Sequence, residues 1–148
     1  MIGNKRLVLE FNAMRERWGE KPRLCKNATG KRLWWEFDIR LEGNTLPIKI
    51  VYPDNYPSEP PQIITPASLP GETPHILPNG WPIPPLLPGK RLCWNDPRDN
   101  RSINKWAPSR DTAAMCISIA QQWFLAFLVW YSTPNRTFND WPVPDSRS

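Results

Sequence analysis

Cys93 has the setting of a residue that could do chemistry. It lies in PGKRLCWNDP, between two prolines, in a stretch with neither a helical nor a strand period. Buried structural cysteines usually lie within periodic apolar runs, so this setting predicts an accessible thiol. Lys90 and Arg91 precede it and would favour the reactive thiolate if their charged groups lie nearby. A nucleophile and a solvent-facing cysteine without a role are the two interpretations.

Two further cysteines and one histidine complete the set of metal or redox candidates. Cys25, Cys93 and Cys116 are odd in number and lack C-x-x-C spacing, so we expect a reducing compartment and no disulfide framework. Together with His75 they could form a zinc site, but the irregular spacing argues against it. Cys25 falls in a strand pattern and Cys116 in an apolar helix, which predicts core positions for both.

The composition predicts an ordered chain. Its 148 residues suit a single domain, and nineteen prolines alternate with aromatic and β-branched residues, which predicts Pro-locked loops on a folded body. The net charge of +5 is milder than that of a dedicated nucleic-acid binder. Glu10 interrupts the apolar run near the N-terminus, so we expect no secretory signal and a cytoplasmic location.

The first half predicts a helix followed by an antiparallel meander. Asn4 is expected to cap the helix. Its apolar stripe consists of Leu7, Phe11, Met14 and Trp18, and its cations, expected on a solvated face, are Lys5, Arg6, Arg15 and Arg17. RLCK, LWWEFDIRL and the stretch from Leu46 to Tyr52 then alternate with a period of two. The predicted meander has one buried face, which the helix covers.

The second half predicts loops and a very apolar helix. The Pro-rich turn YPDNYPSEPPQI leads into the strand QIIT, and a long Pro-rich loop follows over residues 66–105. Ser109 is expected to cap a helix whose residues 113–131 carry no charge. This length approaches a membrane span, but the adjacent glutamines at its middle favour a buried helix. We also expect Trp141 to pack onto the body. The predicted class is α+β, with the helices outside one sheet.

These elements and motifs resemble the ubiquitin-conjugating enzymes. YPDNYPSEPPQI is similar to their Tyr/Phe-Pro-x-x-Tyr-Pro-x-x-Pro-Pro turn. The stretches PH at 74–75, GKRLC at 89–93 and WAPS at 106–109 follow in the order of the family's His-Pro-Asn, Gly-x-Ile/Leu-Cys and Trp-x-Pro. The resemblance covers most of the chain and implies one ubiquitin-conjugating-enzyme-like domain over residues 1–148. The aromatic helix and the short form look more like stand-alone bacterial members from antiphage operons.

The resemblance implies that Cys93 carries an acyl group as a thioester and transfers it to a protein amine. The cargo would be the C-terminus of a ubiquitin-like protein or of a cGAS-like nucleotidyltransferase, delivered by an activating enzyme. An active-site loop would be braced by Pro74, His75, Trp106 and Pro108. No cofactor is expected, because the chain has no phosphate-binding glycine loop and no metal-ligand spacing.

The remaining catalytic candidates are polar residues of the loops. Asn79 and Asn95 could donate a hydrogen bond to the oxyanion, and each could equally form an ordinary Asx-turn. Asp96 and Asp99 could orient the incoming amine, or each could lie in a solvated turn. The chain reads PHILPNG where the family has His-Pro-Asn, and the insertion WPIPPLLPG lengthens the distance to Cys93.

Three alternatives use the same residues differently. A catalytically inactive adaptor would keep the fold without the thioester. A single-stranded nucleic-acid binder would use Trp34, Trp81 and Trp94 as stacking platforms. A cysteine hydrolase would need His75 as a general base, which a bracing role opposes.

Overall fold

Two helices and an antiparallel sheet form the part of the chain that the computed structural model describes, residues 2–77, 84–94 and 106–142. The helices are α1 (Asn4–Trp18) and α2 (Ala114–Ser132), and a short 3-10 helix (Phe138–Asp140) follows α2. The five strands lie in chain order across the sheet: β1 (Arg23–Lys26), β2 (Leu33–Leu41), β3 (Asn44–Val51), β4 (Gln62–Thr65) and β5 (Lys90–Arg91). The predicted α+β class and the antiparallel meander are confirmed.

The predicted alternation places the core between the sheet and the helices. Trp35 and Ile39 of β2 are each 1% exposed and belong to one cluster with the inward residues of β3. The Phe11 ring of α1 packs against Trp35 with 6.0 Å between ring centroids. The Trp18 indole donates a hydrogen bond of 2.8 Å to the carbonyl of Ala114 at the start of α2. Helix α1 therefore covers the sheet, as its apolar stripe predicted, and it also contacts α2.

Helix α2 is the one described helix that is long and apolar enough to cross a membrane. Its mean hydropathy is 1.4 over an 18-residue window, and 56% of that window is buried inside the protein. The buried side includes Cys116, Ile117 and Trp130, each 0% exposed. The stripe Leu125 and Val129 stays exposed. Burial of the larger part of α2 agrees with the expected core helix.

Both predicted helix caps are wrong. Gly3 is the N-cap of α1, and Asn4 is the first helical residue. Helix α2 begins at Ala114 without a side-chain cap, and Ser109 lies in the exposed turn before it. A carboxylate of α1 contacts the residue before α2 instead, because Glu10 accepts a hydrogen bond of 2.8 Å from the Ala113 N–H.

Glu10 is a buried carboxylate on the inward face of α1, only 1% exposed. Its oxygens accept hydrogen bonds from the Tyr52 hydroxyl at 2.9 Å and from the Tyr56 hydroxyl. The Arg6 guanidinium lies 3.0 Å away, one helical turn earlier. Burying an ionised carboxylate is costly unless donors surround it, and here two hydroxyls, one main-chain N–H and one cation do so.

The donors of this network keep their protons. Burial, and then the Glu10 carboxylate, raises the pKa of Tyr52 and of Tyr56 well above the usual range. Both hydroxyls therefore stay neutral donors at neutral pH.

Arg6 extends the same network towards α2. Its guanidinium donates to the carbonyl of Pro108 at 2.9 Å and to that of Asp111 at 2.6 Å. The expectation that all four cations of α1 form a solvated face is thus wrong for Arg6, since it ties α1 to the turn before α2.

The long loop is less irregular than predicted, because it contains β5. Lys90 and Arg91 pair with Thr65 and Ile64 of β4. The amide of Gln62, 5% exposed, accepts a hydrogen bond of 2.9 Å from the Leu86 N–H and donates one of 3.3 Å to the Pro84 carbonyl. These bonds hold the segment before β5 against the sheet.

We expect Glu10→Gln to destabilise the protein by about 3 kcal/mol, because an amide keeps the shape but cannot satisfy four donors. Chemical denaturation measures this loss. Glu16→Gln is the matched control on the exposed side of the same helix, and it should cost less than about 0.5 kcal/mol. Equal losses for the two variants would show that the buried network contributes nothing.

Candidate functional site

The main chain at Leu92 and Cys93 is held between two neighbouring segments. The Leu92 N–H donates to the Ile63 carbonyl of β4 at 2.9 Å, and the Cys93 N–H donates to the His75 carbonyl at 2.8 Å. On the same side as His75, the Leu77 N–H donates to the Arg91 carbonyl at 3.0 Å. Cys93 therefore follows β5 in an extended ladder, and its side chain is partly exposed. The expectation of a segment without regular structure is wrong for Lys90–Arg91, which form β5, and holds for Cys93, which lies outside any strand.

Gly89 allows β5 to approach β4. Its φ is +135°, a backbone conformation that side-chain-bearing residues rarely adopt. A Cβ at this position would lie 2.6 Å from Ile64 Cγ2 and 2.7 Å from the Thr65 carbonyl oxygen. The glycine of the family-like GKRLC stretch is thus a steric requirement for the strand that carries Cys93.

Arg91, rather than Lys90, lies on the face of Cys93. Leu92 is 2% exposed and belongs to the core, so alternation puts Arg91 and Cys93 together on the opposite face, away from Lys90. Burial lowers the pKa of Arg91, and two acidic groups, Cys93 and Glu59, act in the opposite direction. Two cations were predicted to favour the thiolate, and Arg91 is the one that lies on the same face as Cys93.

Glu59 is a carboxylate that the sequence reasoning did not single out. It is half-buried in the Pro-rich turn. Its negative charge raises the pKa of Arg91, as that of Cys93 does. Its place inside the YPDNYPSEPPQI motif was the available signal, but the motif gave no reason to connect it with Cys93.

His75 contacts the cysteine segment through its main chain. Its φ is +60°, and its carbonyl accepts hydrogen bonds from Cys93 and from the Trp123 indole at 3.2 Å. The imidazole packs against Phe138 and Trp141, with centroid distances of 5.2 and 4.8 Å. The main chain of His75 thus contacts Cys93, while its ring lies among aromatic side chains. The contact with Trp141 confirms that this residue packs onto the body.

The other expected bracing residues lie around the same segment. Pro74 is buried beside His75. The Trp106 indole donates a hydrogen bond of 2.7 Å to the Pro57 carbonyl and meets the Trp94 ring edge-on at 6.5 Å. Pro108 is exposed, and its carbonyl is one of the acceptors of Arg6. Trp106 thus joins the Pro-rich turn to the chain beyond Cys93.

The four polar candidates, Asn79, Asn95, Asp96 and Asp99, lie outside the described residues. Trp81, one of three tryptophans suggested as stacking platforms, does too. Of the other two, Trp94 is 4% exposed and cannot stack on a nucleobase, and Trp34 is half-buried. Among the described residues, the nucleic-acid interpretation therefore keeps only the partly exposed Trp34 as a platform.

The remaining cysteines lie far less favourably for chemistry. Cys116 is 0% exposed, and burial raises the pKa of its thiol well above the usual value. Cys25 is half-buried rather than a core residue, and burial followed by the Glu36 carboxylate raises its pKa. Among the described residues no group of three His, Cys, Asp or Glu side chains could hold a metal ion.

The Glu10 network is the part of the site that the sequence reasoning missed. It links the Pro-rich turn, through Tyr56, to the start of α2, and both segments flank the chain around Trp106. Glu10 stands one turn before Met14, on the buried side of α1, and one turn after Arg6. An acidic residue on the apolar face of a predicted helix was the signal that could have pointed to this network.

Comparisons with family models, curated proteins and solved structures find no match to this chain.

Gly89→Ala should destabilise the protein by about 2 kcal/mol, because the methyl group meets main-chain atoms of β4 and the backbone stays strained. Gly71→Ala is the control in the same loop, since a Cβ there meets no atom within 4 Å. Chemical denaturation of both variants, with hydrogen exchange at the Leu92 amide, measures the effect. A loss no greater than that of the control would contradict the steric argument.

Alkylation by iodoacetamide at pH 7 should be fastest at Cys93, slower at Cys25 and absent at Cys116 until the protein unfolds. Arg91→Gln should slow the reaction of Cys93 about threefold, and Lys90→Gln should slow it less. Peptide mass mapping over time gives the rates. Preferential labelling of Cys25, or a larger effect at Lys90, would contradict the assignment.

Proposed function

We propose that this protein is an acyl carrier of the ubiquitin-conjugating type, with Cys93 as the thioester residue. The observation that supports this best is the placement of Cys93. Cys93 is partly exposed just after β5, hydrogen bonds of Leu92 and Cys93 hold this segment on both sides, and Arg91 shares the face of Cys93. A carrier needs such a nucleophile, reachable from solvent yet fixed in position.

The first step is transthioesterification. The Cys93 thiolate attacks the carbonyl carbon of a C-terminal thioester held on an activating enzyme. The new carbon–sulfur bond forms as the old one breaks, and the activating enzyme leaves as a thiolate. The cation at Arg91 favours the ionised Cys93 that this attack requires.

The second step is aminolysis of the thioester. A neutral amine attacks the same carbonyl, the oxyanion collapses, Cys93 leaves as a thiolate, and the amine loses a proton to a base. Asn79 and Asn95 remain the candidates for the oxyanion donor, and Asp96 and Asp99 for the carboxylate near the amine. Glu59 joins the latter pair as the acidic side chain whose charge reaches Arg91.

The same proposal covers the finer fold and the partners. The order of α1, meander, Pro-rich turn, cysteine segment and α2 supports a ubiquitin-conjugating-enzyme-like domain. The cargo is then the C-terminus of a ubiquitin-like protein or of a cGAS-like nucleotidyltransferase, and the setting is cytoplasmic antiphage defence. An inactive adaptor of the same fold is the alternative that the test below separates.

A synthetic peptide thioester replaces the activating enzyme in this test. A peptide ending in Gly-Gly, as its 2-mercaptoethanesulfonate thioester, should acylate Cys93 faster than Cys25, and free lysine should then discharge the adduct. Intact mass measures both steps. Cys93→Ala should abolish the adduct, and Cys93→Ser should give at most a slow oxyester that resists thiols.

A small thiol peptide, GKRLCWND, acylated in the same way, is the reference for the second step. Transfer to lysine from the folded protein should be at least about tenfold faster than from this peptide. Equal rates would mean that the fold adds nothing to aminolysis, and the adaptor would then be the better description.

A further inference from the structure

Strand β2 is longer than its neighbour β1, and part of one sheet edge therefore stays open. The pairing of β1 with β2 runs from Lys26 and Leu33 to Arg23 and Glu36. Strand β2 continues to Leu41, and on this side no described strand pairs with it beyond Glu36. The uncovered stretch lies at the end of the sheet opposite to β5.

The main-chain groups of Asp38 and Arg40 point out of this edge. The Asn27 N–H donates to the Arg32 carbonyl at 3.1 Å, so even-numbered residues of β2 direct their main-chain groups towards the β1 side. The Tyr52 N–H donates to the Leu33 carbonyl at 3.1 Å, which fixes the odd-numbered residues towards β3. The alternation leaves two N–H and two carbonyl groups directed outward beyond the end of β1.

A cavity of about 470 Å³ lies along the same edge. Its lining residues come from β2 and from two segments outside the sheet: Lys21, Phe37, Asp38, Arg40 and Gln121. The Phe37 ring is half-buried and packs against Trp18, with 6.1 Å between ring centroids, so it offers a firm apolar surface. The cavity therefore combines outward main-chain groups with an aromatic side chain.

The charges of this cavity favour an acidic ligand. Lys21 and Arg40 contribute two cations against the single carboxylate of Asp38, which already lies 3.7 Å from Arg40. The Arg40 side chain is 75% exposed and can turn towards a ligand. The net charge of +5 on the whole chain acts in the same direction.

We propose that the open edge of β2, residues 37–41, binds an extended acidic peptide of a partner protein as an added strand. The outward groups of Asp38 and Arg40 pair with the peptide main chain. Alternate acidic side chains reach Arg40 and Lys21, and the residues between them pack on Phe37. A second copy of this chain would bring a net charge of +5 to an edge that favours an acidic ligand, so an acidic partner is the better match. This site goes beyond the carrier function and does not need Cys93.

The probe is a fluorescein-labelled, end-capped octapeptide of alternating Val and Glu. It should bind saturably by fluorescence anisotropy, and hydrogen exchange at the Asp38 and Arg40 amides should slow. Two further peptides carry N-methyl groups on all Glu or on all Val residues. Only one set of N–H groups faces β2, so one of these peptides should lose about tenfold in affinity and the other should not. Equal binding of all three, or no binding, overturns the proposal.

Two variants at one position separate main-chain pairing from charge. Asp38→Ala removes the anion and keeps the N–H, so it should bind the Val–Glu peptide as tightly as the natural chain or more tightly. Asp38→Pro also removes the N–H, which an edge strand tolerates, and should bind about fivefold more weakly than Asp38→Ala. Equal affinities, measured on variants whose thermal unfolding shows them folded, would overturn strand addition.

Two controls identify the partner and the independence of the site. The matching Val–Lys octapeptide should bind at least about tenfold more weakly than the Val–Glu octapeptide. Cys93→Ala should bind the Val–Glu peptide unchanged, so failure of the carrier function would leave this result intact. A protein that is already dimeric by sedimentation, with Asp38 protected from exchange before any peptide is added, would show that a second copy occupies the edge.

Discussion

One buried carboxylate constrains how the segments around Cys93 are placed. Glu10 is 1% exposed, and an ionised carboxylate at that depth is tolerable only when donors surround it. Its donors come from three separate segments: the Pro-rich turn, the residue before α2, and α1 itself. A displacement of any one of them leaves a charge or a donor without its partner, so the three segments keep one relative arrangement.

The consequence reaches the cysteine through aromatic residues. Tyr56 accepts from Arg6, donates to Glu10 and packs on Trp106, with 5.6 Å between the ring centroids. Trp106 in turn holds the Pro57 carbonyl and meets Trp94, the residue next to Cys93. The buried charge and the thiol are thus connected by packed rings and hydrogen bonds, and the Pro-rich turn is the common support.

The two ends of the sheet differ in how completely their edges are paired. At β5 the edge is closed: Gly89 permits close approach to β4, and the His75 segment pairs on the other side. At β2 the edge is open among the described residues, because β1 is shorter than the strand it covers. A rigid end suits a nucleophile that must hold its position, and an open end suits recognition of a main chain.

Local residue patterns were enough to predict most elements, because helical and strand periods involve only neighbouring residues: α1, the meander, β4 and α2 all lie where their patterns predicted. The sequence also singled out Cys93, since a thiol among prolines and cations has no place in a periodic core. The contact of Glu10 with Ala113 and the placement of Arg91 on the face of Cys93 are visible only in the folded chain. Those contacts join residues far apart along the chain, and a local pattern carries no information about which distant donor meets which acceptor.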